Sequence, residues 1–62
     1  MRLEPLDLWL PAAPGPLLPR LRAALADQAR RRGATAPLRW AVTGVDPGRG
    51  LRIEGVLLFE DA

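Results

Sequence analysis

The side chains that could do catalytic chemistry are few in type. Thr35 and Thr43 supply hydroxyl groups, whereas Ser, Tyr, Cys, His and Lys are all absent. A hydroxyl nucleophile needs a neighbouring base, and only carboxylates remain for acid–base work. These are scattered along the chain, with one adjacent pair at its end: Glu4, Asp7, Asp27, Asp46, Glu54, Glu60 and Asp61. The composition therefore predicts that the chain is not an enzyme.

The absence of Cys and His also limits what the chain can bind. Without these residues it has no disulfide and no ordinary zinc site. The glycine-rich segment 44–50 (GVDPGRG) offers backbone N–H groups and Arg49, which could hold an anion. A phosphate loop, however, ends in Gly-Lys-Ser/Thr before a helix, and this segment precedes an apolar alternation. We interpret it as a hairpin turn and expect no cofactor and no metal.

Arginines provide the second candidate chemistry, which is contact with nucleic acid. All nine basic residues are Arg, yet the net charge is only +2. Arg22, Arg30 and Arg31 could bridge phosphates, while Trp9 or Trp40 could stack on unpaired bases. Arginines at the end of a helix also complement its dipole without any ligand. Nucleic-acid binding is therefore the alternative function.

The elements that position these residues begin with a helix. Apolar residues recur at helical spacing between Leu17 and Ala29, which predicts a helix over residues 16–32. Gly15 is the expected N-cap, and Pro16 suits the first helical position. Gly33 is expected to end the helix in the left-handed conformation.

The second half of the sequence alternates as a β-hairpin does. Leu38, Trp40 and Val42 are predicted to share a buried face with four residues of the following strand: Leu51, Ile53, Leu57 and Phe59. Opposed residues share a face, so two registers fit this pattern. One places Trp40 opposite Leu57. We favour the other, which places Trp40 opposite Gly55 and Val42 opposite Ile53.

The first residues complete the predicted fold. Leu6, Leu8 and Leu10 alternate with polar or aromatic residues as in a strand, although Pro5 and Pro11 restrict it to a sheet edge or to extended coil. We predict one α+β domain over residues 1–62, ordered β-α-β-β. Its single helix packs on a small, mostly antiparallel sheet, with the last strand in the middle.

The face of this sheet turned away from the helix is unusually apolar. Val45, Val56 and Leu58 are predicted to lie there, together with Trp9 if the first segment is a strand. A solvated sheet face should be polar, so such residues indicate an interface. We therefore expect a protein–protein interaction or assembly module that self-associates, or binds a larger protein, through this face.

Chain length supports association. A chain of 62 residues buries only about 60% of the surface that its unfolded form exposes, and neither disulfides nor zinc can compensate. Prolines interrupt the Leu-rich start, so no apolar stretch is long enough to span a membrane, and no signal peptide is evident. A cytoplasmic location is expected.

The two hairpin segments resemble those of short, uncharacterised cyanobacterial proteins. The resemblance rests on residues 38–43 (LRWAVT) and 52–57 (RIEGVL). It implies a bacterial-type cytoplasm and carries no activity that could be assigned to a residue.

Overall fold

Along residues 1–60, which the computed structural model describes, four regular elements follow one another. They are the strand β1 (Arg2–Leu10), the helix α1 (Leu17–Arg32) and the strands β2 (Ala36–Asp46) and β3 (Gly50–Phe59). The predicted α+β class and the β-α-β-β order are confirmed. Asp61, half of the predicted carboxylate pair, lies outside the described residues.

The helix has nearly the predicted bounds. It starts at Leu17 because Pro16, with φ −61° and ψ 135°, is extended and serves as the N-cap in place of Gly15. Gly33 adopts φ 75°, as predicted for the residue that ends the helix. The Ala34 N–H then donates to the Ala29 carbonyl over 2.8 Å, which closes the last turn.

The sheet has the order β1-β3-β2, and both strand pairs are antiparallel. The last strand is therefore central, as predicted. The first segment is an edge strand rather than extended coil, which accommodates Pro5 because an edge residue can do without an N–H bond. In the hairpin, Trp40 lies opposite Gly55 and Val42 opposite Ile53, so the favoured register is confirmed.

The main chain of β2 lies unusually close to Gly55 of β3. A Cβ atom at this position would lie 2.4 Å from the Arg39 carbonyl oxygen and 3.0 Å from the Trp40 Cβ. The lack of a side chain at Gly55 therefore allows the β2 main chain to approach β3.

Two bulges interrupt the pairing of β2 with β3. The register shifts between Pro37 and Arg39 and again between Val42 and Gly44, so Leu38 and Thr43 are the additional residues. Each additional residue reverses which side of the sheet the following side chains occupy. The strict alternation expected along β2 therefore holds only for residues 39–42.

The hydrophobic core lies between α1 and the strands β1 and β3. Its buried members, within residues 1–60, are Leu6, Leu10, Leu21, Leu25, Ala29, Ile53, Leu57 and Phe59. None of these belongs to β2. The predicted burial of Leu38, Trp40 and Val42 is wrong, because their exposed fractions are 53%, 37% and 45%.

The helix is attached along β1, which explains this burial. Arg20 donates to the Pro11 carbonyl oxygen over 2.8 Å, just past the end of β1. Arg32 donates to the Pro5 carbonyl oxygen over 2.9 Å and to the Glu4 carboxylate over 2.8 Å. The helix therefore runs back along β1 and leaves residues 38–43, the middle of β2, exposed.

We predict that Gly55→Ala destabilises the fold by about 1–3 kcal/mol, since the new methyl group would overlap the Arg39 carbonyl and push the strands apart. Urea denaturation followed by circular dichroism measures this change. Gly48→Ala is the matched control, because its Cβ would have the Asp46 carboxylate as nearest neighbour at 3.4 Å. Equal stability of the two variants would contradict the close approach at Gly55.

Candidate interaction surfaces

The side of the sheet away from the helix has an apolar end. Leu3 pairs with Leu58 and Pro5 pairs with Val56 across β1 and β3, so these four residues form one contiguous group, here called the helix-free patch. Leu3 is exposed, whereas Val56 and Leu58 are half-buried by their cross-strand neighbours. The predicted interface residues Val56 and Leu58 therefore lie together, although part of their surface is already covered.

Charged residues occupy the middle of the same side. Arg52 donates to the Asp7 carboxylate over 2.6 Å, and Glu54 lies 3.9 Å from the same guanidinium. The hydrogen bond that Arg52 donates to Asp7, together with the negative charges of Asp7 and Glu54, raises the pKa of Arg52 above its ordinary value. The Arg52 guanidinium stays charged under all ordinary conditions, since arginine is always protonated. It makes the centre of this side polar.

Trp9 lies beyond that charged centre. It pairs with Arg52 across the strands, and the Arg49 guanidinium lies 5.4 Å from the centre of its ring. A cation over the indole face is favourable by itself and needs no partner molecule. Trp9 is thus on the predicted side of the sheet, but it is separated from the helix-free patch.

Val45 is not on the predicted side. It lies opposite Leu51, which packs against the core beneath the helix. The bulge at Thr43 causes this reversal, because it shifts the alternation of β2 by one residue. The prediction that Val45 shares a face with Val56 and Leu58 is therefore wrong.

A second apolar surface lies on the helix side of β2. Trp40, Val42 and Val45 are here called the β2 surface, and the exposed fraction of Val45 reaches 77%. Alternation in the sequence detected Trp40 and Val42 as apolar residues of one face. Alternation could not show that the helix covers the other two strands, and it therefore predicted that Trp40 and Val42 belong to the core.

A cleft of about 390 Å³ continues the β2 surface towards the start of the helix. It lies between the first turn of α1 and the β2–β3 turn. Most of its wall is apolar, with one basic and one acidic side chain, and it includes Leu10, Leu17, Arg20, Val45, Asp46 and Leu51. Because Val45 belongs to both features, a partner on the β2 surface could extend into this cleft.

The glycine-rich segment is a hairpin turn, as predicted. The backbone N–H groups of Gly48 and Arg49 both donate to the Asp46 Oδ2 atom, over 2.9 and 2.7 Å. The turn thus uses its own carboxylate to satisfy the N–H groups that an anion would need. This geometry favours a structural role for the segment.

The arginines proposed to contact nucleic acid are partly neutralised. Arg30 and Arg31 both form ion pairs with Asp27, the second over 2.9 Å. Arg22 is exposed two helical turns before Arg30. The structure therefore brings Arg30 and Arg31 together but adds a negative charge between them.

Comparison with known proteins assigns the chain to a family without assigning an activity. Residues 2–59 match a family model described as a domain of unknown function, DUF8621. No curated protein and no solved structure matches the chain. Within residues 1–60, no helix is long and apolar enough to cross a membrane.

We predict that Asp27→Asn strengthens binding to a polyanion, because it releases Arg30 and Arg31 from their shared partner. Elution from a heparin column should then require a higher salt concentration. Glu60→Gln, which removes the same charge from an exposed site elsewhere, is the control. Identical elution of the two variants would mean that Asp27 does not mask these arginines.

Proposed function

For this chain, which belongs to the DUF8621 family, we propose a role as a non-catalytic assembly module that forms homodimers through the β2 surface. One observation carries the proposal. β2 is the longest strand, yet none of its residues is among the buried residues within 1–60. Covering its apolar side chains would stabilise an assembly by about 25 cal/mol for each Å² removed from water.

The dimensions of the chain support association. Its radius of gyration is 12.1 Å, whereas a compact domain of this length has about 10.6 Å. The molecule measures 41 × 19 × 16 Å, which is long for its mass. A chain that exposes this much surface relative to its core gains stability when another molecule covers part of it.

A second copy is the partner that best fits this surface. A typical interface takes about 800 Å² from each partner, which is roughly a fifth of the 4307 Å² exposed by this chain. The β2 surface is uncharged, so it can pack against an identical surface without repulsion. Two copies related by a two-fold axis would place Trp40 and Val42 of one copy in contact with the same residues of the other.

The side chains considered for catalysis support a non-catalytic role, because they already have structural partners. Thr35 accepts a hydrogen bond from the Glu60 N–H over 3.2 Å. Glu4, Asp7 and Asp27 are held in ion pairs with arginines. A bacterial-type cytoplasmic setting, as the hairpin resemblance implies, is part of the proposal.

The solution mass tests self-association. We expect light scattering on a sizing column to give a dimer of about twice 6.8 kDa, at low and at high salt alike. Val42→Glu should weaken the dimer roughly tenfold or more by placing a charge in the interface. A monomer at all concentrations would refute the proposal.

Leu58→Glu is the matched variant for the competing surface. It introduces the same charge in the helix-free patch and should leave the dimer intact. The opposite pattern, with Leu58→Glu disruptive and Val42→Glu harmless, would move the interface to the helix-free patch.

The two tryptophans provide an independent measurement, since they lie on opposite sides of the sheet. In Trp9→Phe, the emission of Trp40 should shift to shorter wavelength as the concentration rises, because dimerisation removes water from the indole. In Trp40→Phe, the emission of Trp9 should not change with concentration. A shift in Trp9 alone would assign the contact to the other side of the sheet.

A further inference from the structure

The two edges of the sheet differ in how they are protected against pairing with another strand. β1 carries Pro5, which cannot donate a hydrogen bond, and three charged residues: Arg2, Glu4 and Asp7. Prolines, charges and β-bulges on an edge are the usual means of preventing strand addition. The β1 edge is therefore unsuited to pairing.

The β2 edge lacks these features along most of its length. Residues 38–45 contain no proline and a single charge, Arg39. The bulges at Leu38 and Thr43 distort its ends but leave residues 39–42 regularly paired with β3. Along this stretch, main-chain groups that point away from β3 remain open to another strand.

We propose that β2 pairs antiparallel with β2 of a second copy, which joins the two sheets into one of six strands. This inference rests on the proposed homodimer and specifies how it is built. The order becomes β1-β3-β2 followed by β2-β3-β1 of the second copy. Each β2 strand then has the other as its neighbour, so neither copy keeps an unprotected edge.

Symmetry sets the arrangement of the two copies. Antiparallel pairing of identical strands places a two-fold axis perpendicular to the sheet. One residue beside this axis lies opposite the same residue of the second copy. The regular stretch 39–42 centres this axis near Trp40 and Ala41. Both helices then lie on the same side of the sheet, one over the β1 and β3 strands of each copy.

This arrangement explains why β2 is apolar on the helix side. The two β2 surfaces come together in the strip between the helices. With the axis at Ala41, Trp40 lies directly opposite Val42 of the second copy, at a Cβ separation of about 5 Å. An aromatic residue opposite a β-branched residue is a favourable cross-strand pair.

Disulfide cross-linking tests this pairing cleanly, because the chain contains no cysteine. Single variants Ala41→Cys and Trp40→Cys place a thiol beside the proposed axis. Under mild oxidation, we expect at least one of them to form a covalent dimer, since the paired positions approach within disulfide distance. Leu3→Cys on the protected β1 edge and Ala23→Cys on the exposed helix surface are the controls, and both should remain uncross-linked.

The outcomes separate this inference from the proposed function. A dimer by light scattering that cross-links at neither position 40 nor 41 would overturn strand pairing while keeping self-association. A monomeric chain would overturn both. Equal cross-linking at all four positions would indicate random collision and would also contradict the pairing.

Hydrogen exchange of the unmodified chain tests the same pairing without a cysteine variant, and so it remains informative if such a variant does not fold. Amide protons within residues 39–42 that point away from β3 should become protected as concentration rises. Those on the outer edge of β1 should exchange equally fast at all concentrations. Protection of both edges, or of neither, in the dimer would contradict pairing through β2.

Discussion

The contact of α1 with β1 and β3 is the interaction on which the rest of the structure depends. Leu21, Leu25 and Ala29 of the helix are buried in a core shared with Ile53 and Leu57 of the central strand. A helix with its side chains is about 10–12 Å across, and strands lie about 4.8 Å apart, so one helix covers about two strands. A sheet of three strands with one helix must leave one strand uncovered.

Hydrogen bonds at both ends of the helix determine which strand remains uncovered. Arg20 contacts the end of the β1 segment through Pro11, and Arg32 contacts its start through Glu4 and Pro5. These exposed polar contacts are individually weak, but they hold the helix along one edge of the sheet. As a result, the helix side of β2 is open, and its apolar residues become available for association.

The two sides of the sheet consequently differ in character. On the side away from the helix, the Arg52 network divides the apolar residues into the helix-free patch and an isolated Trp9. On the helix side, Trp40, Val42 and Val45 continue into a cleft without such a division. A continuous uncharged surface is better suited to packing against a second copy than one divided by charges, because no ion pair has to lose its hydration.

The sequence by itself determined the helix, its end at Gly33 and the hairpin, and it favoured the strand order and the pairing of Trp40 with Gly55 that the structure has. Each of these depends on local periodicity, on turn residues or on the rule that opposed residues share a face. Only the tertiary structure decided which apolar residues are core. Trp40 and Val42 have the alternation of buried residues, but the position of the helix leaves them exposed, and a bulge at Thr43 moves Val45 to the other side. Alternation records that a face is apolar, whereas its burial depends on which distant element lies above it.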